Sequence, residues 1–417
     1  MKRIKGTQDF LDLRLFNYIL DLAKKQLQTY HFTEIATPIL EPLELFKRSL
    51  GLYTDVVSKE MFLIQGNQEE EDAICLRPEA TAPTLRAFIE NGIQQTPWKV
   101  FSWGPMFRYE RPQKGRFRQF HQLNIEIIGS ASVAQDAFFI TMLDRFFHEK
   151  LHLNNYALVI NYLGCFADRA AYQIQLKEFL DGAQASNICS NCQERKEKNI
   201  MRIFDCKSPT CQQIYTNAPT IIENLCAGCT TEWTQLQEQL HLLSVTHACK
   251  PTLVRGLDYY CKTVFEFVSH NLGAQNTFCG GGRYDQLVLQ LGGKQDQPSI
   301  GAAMGLERLL LLLDPLPQAL TLPPQPALHV VIPMHAQHIP LALLIADTLT
   351  AAGLCVEVLL EQDSIKSMLR HTNKMGASYA LLIGDEEQQS RSITVKNMIT
   401  STQETIKQID VVAYLKR

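Results

Sequence analysis

The chain has 417 residues, 46% hydrophobic and 20% charged, with a net charge of −3. That is the composition of a globular protein of roughly two to four domains. It excludes a global basic field, so any nucleic acid must be held by local patches. The longest leucine run, Leu309 to Leu313, falls far short of the roughly 20 apolar residues of a membrane span. The opening MKRIKGTQDF is basic but has no apolar core after it, so it does not read as a secretory signal. A cytoplasmic protein without a membrane partner is expected.

In chain order, the first chemistry-bearing stretch is RPEATAP, 77–83, a polar loop opening a helix. Thr81 is the expected N-cap there, with Glu79 poorly placed for it. Next come KVFSWGPMFRYE and FRQFHQLNIEIIG, which read as an antiparallel hairpin around a basic turn holding Arg111, Lys114, Arg116 and Arg118. On the outgoing strand Leu123, Ile125 and Ile127 alternate with Gln122, Asn124 and Glu126. If the polar faces of the two strands coincide, they form a nucleotide floor. Phe120 would stack on a base, Arg108 would grip phosphate with its planar fork, and Glu110 would accept from an exocyclic amine. Taken alone, the same alternation fits a solvated strand face with surface ion pairs, which is the commoner case.

Residues 165–248 are rich in Cys, Asn and Gln and helical by spacing, and read as an insertion into a larger domain made of 1–164 and 249–316. Six of the chain's 12 cysteines fall between Cys189 and Cys229. In a chain this long they are not the disulfide framework of a small secreted fold. Cys189-x₂-Cys192 and Cys226-x₂-Cys229 are knuckle-like pairs that would suit one tetrahedral, structural Zn²⁺. The 33 residues between them exceed the spacing of roughly 15–20 in zinc ribbons, and reduced thiols are the alternative.

Beyond the insertion, LVRGLDYYCKTVFEF, 253–267, sets Arg255 beside Tyr259 and Tyr260, an arrangement that core packing also produces. CGGGRYDQLVLQLGG, 279–293, places three glycines before a helix, either as a turn or as a close approach to a ligand; it is not a P-loop. SIGAAMGLERLLLLL, 299–313, leads into a helix with Leu306, Leu309, Leu310 and Leu313 as a core stripe. Arg308 sits in its first turn, where the helix dipole disfavours a cation by a few tenths of a kcal/mol, so an anion nearby would suit it. Five prolines in DPLPQALTLPPQPA, 314–327, mark a stiff linker, assigned to 317–326. LHVVIP, HIPLALLIADTLTAAG, CVEVLL, YALLIG and ITVKNM then alternate strand and helix, predicting an α/β domain over 327–417.

In this order the motifs resemble the histidyl-tRNA synthetase family of class II aminoacyl-tRNA synthetases. TPILEPLELFKRSLG, with Pro38, looks like motif 1, FRYERPQKGRFRQFHQLNIE like motif 2 and GAAMGLERLLLLL like motif 3; RGLDYY and GGGRYD look like the segments peculiar to the histidine enzyme. The resemblance implies an α+β fold: an antiparallel catalytic sheet flanked by helices, a helical insertion and a C-terminal α/β anticodon-binding domain. It implies a homodimer that joins L-histidine to tRNA(His) through a histidyl-adenylate, with ATP as substrate and Mg²⁺ on the phosphates. By similarity Arg108 and Arg255 face the α-phosphate, Arg308 the γ-phosphate, and Glu110 and Phe120 the adenine. Glu79, Thr81 and Gln122 would receive the histidine amino group, and Glu126 and Tyr260 its imidazole, with Tyr284 nearby. Arg116, in the basic turn, would face tRNA. Ala80 stands where glycine is common, Asn124 where Asp or Gly is frequent, and Leu-Asp-Leu follows KGTQDF without the usual proline; none removes a ligand. Another reading is a catalytically silent, histidine-sensing regulatory paralogue, against which RGLDYY and the C-terminal domain argue. A prolyl or threonyl enzyme is opposed by RGLDYY and the Gln122/Glu126 pair.

Overall fold

The computed structural model describes residues 1–51, 54–64, 73–182, 187–273, 276–314, 320, 322–361 and 363–416. It divides into two compact units, Met1–Leu322 and Pro323–Arg417. Residues 317–319 and 321 of the expected linker lie outside the described residues.

In the first unit, helix Arg14–Thr29 buries Phe16, Ile19, Leu20, Ala23 and Leu27, the three-and-four spacing of a core-facing stripe. Its strands are β1 (Thr33–Glu34), β2 (Leu40–Pro42), β3 (Phe62–Ile64), β4 (Ile74–Leu76), β5 (Trp98–Phe107), β6 (Gln119–Ile128), β7 (Ala157–Tyr162), β8 (Ala248–Cys249), β9 (Cys261–Val268), β10 (Thr277–Arg283) and β11 (Ser299–Gly305). The main sheet runs β1-β5-β6-β11-β10-β9-β7-β8, and β2-β4-β3 form a small second sheet. The expected antiparallel pairing holds from β5 to β7, whereas β1 and β8 add parallel edges.

The hairpin β5–β6 pairs Met106 with Phe120, Gly104 with Gln122 and Val100 with Glu126. On its other side β6 pairs Gln122 with Gly305 and Glu126 with Gly301. β6 is therefore an interior strand. Asn124 and Glu126 are each 1% exposed, so the polar half of the alternation is buried rather than solvated. Gly280, Gly281 and Gly282 lie inside β10, not in a turn. A Cβ on Gly281 would stand 2.1 Å from the Gly301 carbonyl oxygen, a clash that explains why this position has no side chain.

Between β7 and β8 the chain is helical, with Phe166–Asp181, Ser190–Lys198, Pro209–Tyr215 and Ala227–Leu242. Trp233, Leu236 and Leu240 join the apolar cluster of Phe139 and Ile140, and Tyr172, Leu176 and Ile203 join that of Phe46 and Leu85. The inserted helices thus share the cores of the unit around them.

The second unit holds β12 (Leu328–Pro333), β13 (Cys355–Val358), β14 (Tyr379–Ile383), β15 (Ser392–Asn397) and β16 (Gln403–Lys407), in the order β13-β12-β14-β15-β16. The first three are parallel and the last two antiparallel; β16 has no counterpart in the sequence reading. Val331 and Leu381 face one apolar cluster, Val330, Ile332 and Leu382 the other, so both faces of the sheet are covered.

Candidate active site

A cleft of about 360 Å³ opens on the first unit. It is lined by Glu79, Thr81, Arg108, Glu110, Arg116, Phe120, Gln122, Arg255, Tyr260 and Arg308. Glu126 and Tyr284 do not reach its lining; they lie against Thr81 and Tyr259, each 1% exposed.

β6 sets the axis of the site. Phe120, Gln122, Asn124 and Glu126 share one face, and at about 3.3 Å per residue roughly 20 Å separates Phe120 from Glu126. At the Phe120 end, the Arg108 guanidinium lies 5.4 Å from the ring centroid, and its Nε donates to the Pro78 carbonyl at 2.9 Å. Arg308 approaches from the first turn of helix Leu306–Leu313, its Nε donating to the Gly115 carbonyl at 2.9 Å and its Nη1 to that of Thr277. Burial, then Arg108 and Arg116, push its pKa down to about 10. Burial likewise lowers that of Arg108. Two cations held against desolvation call for an anion between them.

Arg116 does not point away from the cleft. It pairs with Glu110 and lies 3.5 Å from Glu60, so two residues expected to face different ligands face each other. Glu307 bridges the hairpin to helix Leu306–Leu313: its carboxylate accepts the His121 backbone N–H at 2.9 Å and stands 2.8 Å from His121 Nδ1.

Midway along the sheet Arg255 lies across Gly280, where a Cβ would come within 2.5 Å of its Nη1. It pairs with Glu266 and stands 5.5 Å from the Tyr260 ring centroid. Burial opposes its charge, but Glu266, Tyr260 and Tyr259 outweigh that and raise its pKa. Inserted helices and turns hold the Arg255 loop from outside. Arg169 Nη1 donates to the Tyr260 carbonyl at 2.7 Å, Arg202 Nη1 to that of Gly256 at 3.2 Å, and Asn199 Nδ2 to Asp258 Oδ1 at 2.5 Å.

At the inner end Thr81 Oγ1 donates to Glu126 Oε1 at 2.7 Å, and the Tyr284 hydroxyl donates to Glu126 Oε2. Burial drives the Glu126 pKa up to about 8; those two bonds resist the rise and Glu79 adds to it. Gly301 leaves room for this carboxylate, since a Cβ there would overlap Oε2 at 1.6 Å. The Tyr259 ring lies 4.5 Å from that of Tyr260 and 5.6 Å from that of Tyr284. Gln122 Oε1 is buried and finds no partner among the described residues, an open acceptor in the cleft wall.

The expected cap is reversed. Glu79 accepts the backbone N–H groups of Thr81 and Ala82, both at 2.8 Å, and Thr81 spends its hydroxyl on Glu126. From just ahead of the helix the longer Glu79 side chain curls back over the open amides, which Thr81, already inside the first turn, cannot do. Glu60, Glu266 and Thr277 also line the cleft and were missed in the sequence. Glu266 carried a signal, a carboxylate flanked on its strand face by Val264 and Val268.

The four cysteines proposed as one zinc site do not come together. Cys189 and Cys192 lie with Cys206 and Cys211, whereas Cys226 and Cys229 lie with Cys165 and Asp168. Chain spacing paired the two x₂ knuckles; the fold instead sets the first beside Cys206 and Cys211 and the second beside Cys165 and Asp168, far earlier in the chain.

The family model described as histidyl-tRNA synthetase matches residues 15–309, and one described as anticodon binding domain matches residues 329–417. A histidine–tRNA ligase of Solidesulfovibrio magneticus is 40% identical, covering 100% of this chain and 97% of the relative. One of Nitratidesulfovibrio vulgaris strain DP4 is 42% identical, covering 99% and 98%. The crystal structure of apo S. aureus histidyl-tRNA synthetase superposes with a TM-score of 0.81 at 32% identity, covering 100% of both chains.

Proposed function

The chain belongs to the histidyl-tRNA synthetase family and is an ATP-using histidine–tRNA ligase, and we propose that the cleft on β6 is where it activates histidine. One observation carries this reading. Arg108, Arg255 and Arg308 converge on a single cavity whose inner wall leads to the Glu126–Thr81–Tyr284 network.

Adenine takes the Phe120 and Glu110 end, with Arg308 on the γ-phosphate. Arg108 and Arg255 flank the α-phosphate. The histidine amino group meets Gln122, Thr81 and Glu79, and its imidazole meets Tyr260 with Glu126 and Tyr284 behind. The histidine carboxylate attacks the α-phosphorus in line, and pyrophosphate leaves with the bonding pair of the broken P–O bond. No general base is needed, because the nucleophile is already ionised; positioning and fixed cations supply the catalysis. The tRNA 3′-hydroxyl then attacks the adenylate carbonyl, expelling AMP. Mg²⁺ fits the hard oxygen donors of the cleft, with Glu266 beside Arg255 as its holder, and would add positive charge on the phosphates.

The unit over 327–417 would read the anticodon, and Arg116 would adjust its pairing with Glu110 when tRNA arrives. Residues 1–164 with 249–316 would form the catalytic core and 165–248 the insertion, in a cytoplasmic homodimer. Among the described residues no helix is long and apolar enough to cross a membrane. The regulatory reading has no support here, since the ligases match over the whole chain. ATP–pyrophosphate exchange with each of the 20 amino acids tests the assignment: histidine alone should support exchange, and exchange with another amino acid, or none, would overturn it.

A further inference from the structure

Between helix Ser190–Lys198 and helix Pro209–Tyr215, the sulfur atoms of Cys189, Cys192, Cys206 and Cys211 all lie within 4.8 Å of one another. A tetrahedron of Zn–S bonds about 2.3 Å long has sulfur–sulfur edges of about 3.8 Å. Cys189 Sγ and Cys206 Sγ are 3.7 Å apart, far beyond the roughly 2.05 Å of a disulfide. Cys192 and Cys211 are fully buried and Cys206 is 8% exposed. Backbone amides already point at the sulfurs, from Cys189 to Cys211 Sγ at 3.2 Å and from Ser208 to Cys206 Sγ at 3.4 Å. Donors placed so spread thiolate charge around a metal.

The helices here have 9 and 7 residues, below the roughly 12–15 at which isolated helices become stable. Something besides local propensity must hold them. Between the ligands lie Asn199 and Arg202, the residues that grip Asp258 and Gly256 of the Arg255 loop. We infer that Cys189, Cys192, Cys206 and Cys211 bind one tetrahedral Zn²⁺, which fixes residues 199–205 against the loop carrying Arg255 and Tyr260. The metal is structural: four thiolates fill its coordination and leave no open position for substrate. The second group does not share it. Its Asp168 carboxylate accepts the Cys165 amide at 3.2 Å and the Cys226 amide at 3.0 Å, serving as a cap.

Elemental analysis of the full chain purified without chelator tests the site. The double variant Cys206→Ser/Cys211→Ser should contain one zinc fewer per chain than the parent, and an unchanged content overturns the proposal. Where that variant does not fold, Co²⁺ exchanged into the parent chain decides. Intense visible bands of tetrahedral cobalt on four thiolates, retained in Cys226→Ser/Cys229→Ser, are expected; their absence, or their loss in that control, overturns the site. Chelator-stripped protein should lose histidine-dependent pyrophosphate exchange by ~10²-fold, the scale of an ångström of misplacement, and recover it with zinc. Undiminished exchange after stripping overturns the bracing role.

Discussion

Glu126 is a carboxylate with almost no water to face, and its chemistry follows from that. The unfolded chain gives up this proton near 4.5 and the folded chain near 8. On raising the pH, the unfolded state ionises first, so this group's effect is to remove stability between those values and none beyond. Glu126→Gln should flatten that limb in thermal unfolding followed against pH. It should also remove the limb near 8 from histidine-dependent exchange, because the anion is the form that accepts an imidazole N–H. Superimposable profiles for the two proteins would place Glu126 outside histidine recognition. Arg308 makes the complementary case. Its pKa is depressed to about 10 by burial and by Arg108 and Arg116, a state that ATP phosphates would relieve. Arg308→Ala should lower the exchange rate by ~10²–10³-fold, the typical loss of one preorganised charge-stabilising donor. A thermal midpoint equal to or above the parent's would show that the arginine serves ligand rather than fold.

β10 shows how one element serves two ends. Its three consecutive glycines look interchangeable in sequence, yet what a Cβ would meet differs at each. At Gly281 it would strike the backbone of β11 at 2.1 Å, whereas at Gly280 the nearest atoms it would meet are those of the Arg255 guanidinium. Gly281→Ala should therefore unfold or markedly lower the thermal midpoint. Gly280→Ala should keep its midpoint and lose activity through a displaced guanidinium. Circular dichroism melts beside exchange assays separate the two, and equal behaviour would refute the register argument. The insertion works in the same way. Its helices bury Trp233 and Tyr172 in cores they share with the main sheet, while Arg169, Asn199 and Arg202 reach the catalytic loop.

At the scale of the molecule, each unit has its own core. The clusters around Phe139 and Phe46 lie in Met1–Leu322, and those around Val331 and Val330 in Pro323–Arg417. A chain ending at Leu322 should retain histidine-dependent exchange, which needs only the cleft. It should charge tRNA at least ~10²-fold more slowly, the usual loss when one of two linked contacts is removed. Loss of exchange together with charging would show that activation depends on the second unit.

The sequence by itself determined what local order can carry: the order of the motifs, the hairpin, the core stripe of Leu306–Leu313 and the alternating elements after the prolines. It also named ten residues that the fold gathers around one cleft. Only the tertiary structure decided which neighbours those residues meet. Periodicity states that Asn124 and Glu126 share a face, but burial of that face depends on β5 and β11 on either side. Capping preferences favour Thr81, but Glu126, 45 residues away, claims its hydroxyl. Spacing paired Cys192 with Cys226, while folding placed Cys189 and Cys192 beside Cys206 and Cys211. In each case the deciding contact lies beyond the reach of local periodicity, and patterning along the chain carries no information about which group will arrive.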